Sequence, residues 1–105
     1  MSRHQEIQAT VTEILDLLIA HGDIYVVDRL RAYRDRLERQ DFSVVPTLRS
    51  EATGSMGSLR DRYLCSSNGD RITETEREGV NARLGALVAQ LAEQTRPART
   101  PDLRS

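Results

Sequence analysis

The sequence predicts an all-α fold: a small bundle of three to four helices, with a glycine-containing loop between a short third element and a last long helix. Two matching apolar stripes and one capping box carry that prediction. Ile7, Val11, Ile14 and Leu18 recur at steps of four, three and four, and Val80, Leu84, Leu87 and Leu91 repeat those steps near the other end. Such steps put all four side chains on one face of a helix turning every 3.6 residues. Ahead of the second stripe, Thr73-Glu-Thr-Glu76 has the form of a capping box, in which the hydroxyl serves the N3 amide and the carboxylate reaches back to the cap.

The first helix is expected near residues 4–21, with Leu15 and Leu17 widening its stripe and His21-Gly22 ending it. Glycine takes the left-handed position after a helix without a Cβ penalty, and His suits the negative helix end. Asp23 follows at once and is a candidate cap for a second helix. The stripe of that helix is Val26 or Val27, then Leu30, Tyr33 and Leu37, and its other face is crowded with arginine and acid. A third, short helix is expected after Asp41, capped by Ser43, with Pro46 in its first turn and an end near Glu51 or Ala52. Arg62 to Cys65 reads as a short turn or a brief extended piece, and Asn68-Gly69 as a tight turn. The last helix holds Gly79 and Gly85, each costing about 1 kcal/mol against Ala. The structural explanation for both is a neighbouring helix that approaches closely. Pro97 ends the helix. A single helical domain is thus expected over 1–96 and a disordered tail over 97–105.

Composition narrows the function classes. At 105 residues there is room for one domain. All 15 basic residues are Arg, yet the formal net charge is −1, so no overall field draws the chain to nucleic acid or an anionic membrane. The second helix carries a local charge of only about +2 and no aromatic stacking platform, which argues against nucleic acid as a partner. Cys65 is the sole cysteine, so neither an internal disulfide nor a thiolate zinc site can form, and a reducing compartment fits. The longest apolar run, Leu17 to Ala20, is far too short to span a bilayer. With no signal-peptide pattern at the start, the cytoplasm is the expected location.

One segment is left unexplained by helical pattern: Gly54-Ser-Met-Gly-Ser-Leu-Arg-Asp61. Ser58 can cap a short helical turn, with Asp61 at its third position supporting the positive end. Gly54 and Gly57 permit positive φ or close backbone approach. Together with Ser55 and Ser58 they could aim several amides at one spot, a nest for an anion. The block is no phosphate loop, because the Gly-Lys-Ser/Thr ending is missing. Gly54, Met56, Gly57, Ser58 and Asp61 are therefore the candidate ligand-binding residues. The structural alternative is a packed turn in which Met56 plugs the core.

Two N-terminal helices joined at His21-Gly22, then this block, then a closing helix resemble a family of small uncharacterised bacterial proteins. That family, a domain of unknown function, carries a Gly-Gly-Met-Gly-Ser-Leu/Phe-Asn-Asp block at the equivalent place. The resemblance spans roughly residues 5 to 95. Ser55 and Arg60 depart from it where Gly and Asn are expected, and Ile24-Tyr-Val-Val27 stands where a Trp-bearing stretch is expected. It implies a fold and no chemistry.

No catalytic constellation is visible. His4 and His21 are the only histidines, and neither has a nucleophile or ligand set at a telling spacing. Cys65 reads as a small buried hydrophobe. The acids Glu74, Glu76 and Glu78 suit the positive end of a helix. No metal site and no cofactor are expected. Two function classes stand. The first is a protein-interaction module, such as an immunity or antitoxin-like protein whose partner is a toxin or another neighbour-encoded protein. The second is an anion-binding or enzymatic domain that uses the Gly54–Asp61 block as its floor. A homodimer through the first and last helices is a further option.

Overall fold

A computed structural model describes residues 2–54, 57–64 and 69–97. Met56, Cys65, the Asn68 half of the Asn-Gly turn and the tail from 98 onward fall outside the described residues. Among the described residues the secondary structure is entirely helical. There are four α-helices, α1 (Arg3–Ala20), α2 (Val27–Glu38), α3 (Val45–Thr53) and α4 (Glu74–Gln94), with 3₁₀ turns at Phe42–Val44 and Leu59–Asp61. The all-α bundle read from the sequence is the fold.

Both long helices start on capping boxes. Thr73 and Glu76 exchange hydrogen bonds in the predicted way, and Ser2 with Gln5 does the same for α1. The Thr73 bonds hold the Glu76 carboxyl below its usual range. Ile7, Val11, Ile14 and Leu18 of α1 meet Leu84, Leu87 and Leu91 of α4 and Leu30 of α2 in one core. Gln90 Nε2 donates to Thr10 Oγ1 across the α1–α4 seam at 2.8 Å.

The caps of the two middle helices differ from expectation. Asp23 does not cap α2, which begins four residues later behind Val26 with no side-chain cap. Val26 and Leu30 are fully buried, so apolar packing, not a cap, sets the start. Asp41 replaces Ser43 as the cap of the turn leading into α3. Its Oδ1 accepts from the Ser43 amide at 3.2 Å and the Ser43 hydroxyl at 2.6 Å, and its Oδ2 accepts from Arg36 Nε at 2.9 Å. These bonds, Ser43 first, lower the Asp41 carboxyl to about 2.

α1 and α2 end in the same motif. Gly22 N donates to Ile19 O and Asp23 N to Leu18 O; likewise Gln40 N donates to Leu37 O and Asp41 N to Arg36 O. This paired closure needs a left-handed residue at its turn. Gly22 fills it with φ 75° and Gln40 with φ 62°. Beyond α1, Arg71 N donates to His21 O at 2.6 Å and His21 Nδ1 donates to Arg71 O at 2.7 Å. The segment entering α4 is thereby clasped to the end of α1. No described helix is long and apolar enough to cross a membrane.

Candidate functional site

The Gly57–Leu64 segment lies between two surfaces of opposite character. Toward α2 it is pinned by buried ion pairs. Toward α4 it borders an open groove.

The pinned side is organised by Glu51. Its position follows Val45 and Leu48 on the inward face of α3, and it is itself buried. A buried carboxylate needs partners for its charge, and four donors supply them. Arg29 Nε and Nη2 reach it at 2.6 and 3.0 Å, the Leu59 amide at 2.9 Å and the Tyr33 hydroxyl at 3.4 Å. The Glu51 bond holds the Arg29 guanidinium above its usual range. Burial, and then the Glu51 charge, push the Tyr33 phenol up. Arg29 Nη2 also donates to Gly57 O at 2.9 Å. A second pair lies beside the first. Asp23, with a side chain only 2% exposed, accepts Arg62 Nε and Nη2 at 3.0 and 3.1 Å in a two-pronged bond. The Arg62 guanidinium lies 4.6 Å from the centre of the Tyr25 ring, within reach of a cation–π contact.

Each candidate residue of the block can now be placed. Gly54 caps α3 in an extended conformation, φ −77° and ψ −174°. Its requirement for glycine is spatial, because a Cβ there would strike the Ser50 carbonyl and press on Ser58. Gly57 has φ 85°, the left-handed region that favours glycine. Ser58 stands at the N-cap of the Leu59–Asp61 turn with extended backbone, but its side chain makes no cap bond. Asp61 closes that turn; its side chain and Met56 lie outside the described residues. Leu59 is fully buried. Within the block, the Leu59 amide donates to the chain's own Glu51 carboxylate.

On the far side, α3, the Leu59 turn, residues 62–63 and α4 enclose an open groove of about 650 Å³. That volume is within the roughly 300–1,000 Å³ of pockets that bury a ligand. Ala52, Leu84, Gly85, Val88, Ala89 and Ala92 form its apolar part, and Arg60, Arg62 and Tyr63 border it. The expectation that Gly79 and Gly85 admit a neighbouring helix is not met within this chain. A Cβ at either would have nothing within 4 Å, so both glycines face open space. They share the outward face of α4 with Ala82, Ala86 and Ala89, all exposed. Tyr63 is 50% exposed, and Ile24 and Tyr25 are exposed at 74% and 60% beside the Arg62 pair.

Sequence reasoning missed both ion pairs and the groove. Glu51 had a signal: it is a carboxylate at the third step of the Val45–Leu48 stripe, where solvent is excluded. Asp23–Arg62 had none, since its members are 39 residues apart. Among the described residues no group of three or more His, Cys, Asp or Glu could hold a metal. The fold and site together define a small α-helical bundle with an ion-paired block and an open apolar groove. Compared with models of protein families, with curated proteins and with solved structures, the chain matches none.

Proposed function

We propose that this chain is a protein-interaction module that offers the α3–α4 groove to a partner. The groove itself is the observation that carries this reading. It combines an apolar floor with an exposed Tyr63 and bordering arginines, and aromatic and Arg side chains are the residue types enriched where proteins bind one another. The block's specific residues act on the inner side: Gly57 O and Leu59 N hold Arg29 and Glu51. An anion seeking the Leu59 amide would have to displace the Glu51 carboxylate, which weighs against the anion-binding alternative.

The finer version is an immunity or antitoxin-like protein whose partner is encoded beside it. Capture experiments test the reading. Ala89 is exposed and its side chain borders the groove, so Ala89→Glu plants a charge there without disturbing the core. The wild-type chain is expected to retain the neighbour-encoded protein on a column, and Ala89→Glu to lose it. Equal retention by both would remove the groove from the interface. No retention, with no other protein captured from the native host, would sink the interaction reading.

A further inference from the structure

On that interaction reading, we infer that the partner segment filling the groove is an amphipathic α-helix whose apolar ridge is bordered by carboxylates.

Charge gives the chemistry of the rim. The charged side chains along the groove are Arg60 and Arg62, and no acidic side chain lines it among the described residues. Arg62 already has its carboxylate in Asp23. Arg60 is exposed and has no hydrogen bond or ion pair among the described residues. One uncompensated guanidinium thus stands beside an apolar floor. Its planar fork matches a carboxylate with two parallel hydrogen bonds. An apolar segment carrying Asp or Glu at its edge satisfies both features, whereas a basic one would face Arg60 unpaired.

Backbone accounting gives the shape. A peptide that docks as a β-strand needs a free strand edge to bond its amides and carbonyls. The groove walls are helices, and the adjoining non-helical residue Leu64 has both its backbone groups taken. Its amide donates to Asn81 Oδ1 and its carbonyl accepts from Asn81 Nδ2, each at 2.7 Å. A helix brings its own backbone bonds with it and asks only for a groove. The missing side chain at Gly85, with only Ala at position 89, lets such a helix lie close to α4. Glycine at 85 then has the close neighbour that the chain alone does not provide.

The test uses two synthetic peptides with the same Leu ridge at i, i+4 and i+7, one flanked by Glu and the other by Lys, followed by fluorescence anisotropy. The Glu-flanked peptide is expected to bind the wild-type chain roughly tenfold more tightly than the Lys-flanked one. Arg60→Ala, a change at an exposed side chain, is expected to erase the preference, with the helical circular dichroism unchanged. Ala89→Glu is expected to weaken the Glu-flanked peptide most. Equal binding of both peptides would overturn the acidic edge. Binding of neither, alongside groove-dependent retention of a neighbour-encoded protein, would overturn the helical occupant and leave the interaction module standing. A wild-type dimer in light scattering that Ala89→Glu converts to monomer would instead assign the groove to a second copy. Failure of the peptides and of every capture would end both readings.

Discussion

The two sides of the Gly57–Leu64 segment differ in how far their polar groups are satisfied. On the α2 side, two buried carboxylates meet two guanidiniums and an amide, and Glu51 alone accepts from three residues. On the α4 side, Arg60 has no described partner and Gly85 no neighbour. Removing one member of a buried pair strands the others in a medium that solvates charge poorly. Changing an exposed groove residue strands nothing. The contrast separates the side that holds the fold from the side left open for contact.

Glu51→Ala should break it most severely. It leaves Arg29, Tyr33 and the buried Leu59 amide without their acceptor, and a loss of roughly 3 kcal/mol is expected in urea unfolding, somewhat reduced because Arg29 is partly exposed. A loss below about 0.5 kcal/mol, the range of ordinary surface changes, would mean that the seam does not hold the block. Gly57→Ala comes next, at roughly 1–2 kcal/mol for a Cβ in the left-handed region, with its nearest new neighbour, the Tyr25 hydroxyl, at an ordinary 3.7 Å. On the groove side the sign reverses. Gly85→Ala should stabilise the chain by up to about 1 kcal/mol, since α4 gains helix propensity and nothing obstructs the methyl. The same methyl should weaken any partner that lies close to α4. Stabilisation with unchanged binding would remove Gly85 from the contact.

The smallest expected effect is in alkali. Burial and Glu51 raise the folded Tyr33 pKa above the usual phenol value of 10.0. Its share of stability is therefore complete below pH 10.0 and lost as pH rises through the folded value. Tyr33→Phe should flatten that alkaline decline, which a pH series of thermal melts would show. At the other extreme, Asp41 has a folded pKa lowered from 3.8 to about 2, so its share is present above 3.8 and lost as pH falls toward 2. Asp41→Asn should remove that acid-side dependence.

Local chemistry made much of the fold legible. The α1 and α4 stripes, the Thr73–Glu76 box and the Gly22 stop each depend on residues within one or two turns of each other. The misses involved choices among local alternatives. Asp23, Ser43 and Ser58 are all good caps by type, yet Asp23 serves Arg62, Ser43 yields to Asp41, and Ser58 holds the cap position without a cap bond. Gln40 shows the same priority from the other direction, since a non-glycine residue accepts φ 62° where the helix end requires it. The candidate site was legible only in its glycines. Its charge pairs join Arg29 to Glu51 and Asp23 to Arg62, 22 and 39 residues apart, and no spacing rule reaches that far.

The sequence by itself therefore determined the helices, most of their ends and the apolar faces that build the core, because those follow from periodicity and short-range hydrogen bonding. It also marked residues 54–61 as a break in the pattern. Only the tertiary structure decided what that break does. Folding buried Glu51 on the side of α3 that meets Arg29 and Tyr33 of α2, burial obliged it to gather those two side chains and the Leu59 amide, and the turn so pinned became one wall of a groove over Gly85 and Ala89. Desolvation of a charge and the shape between two helices are properties of the assembled chain, which is why the seam and the groove emerge only there.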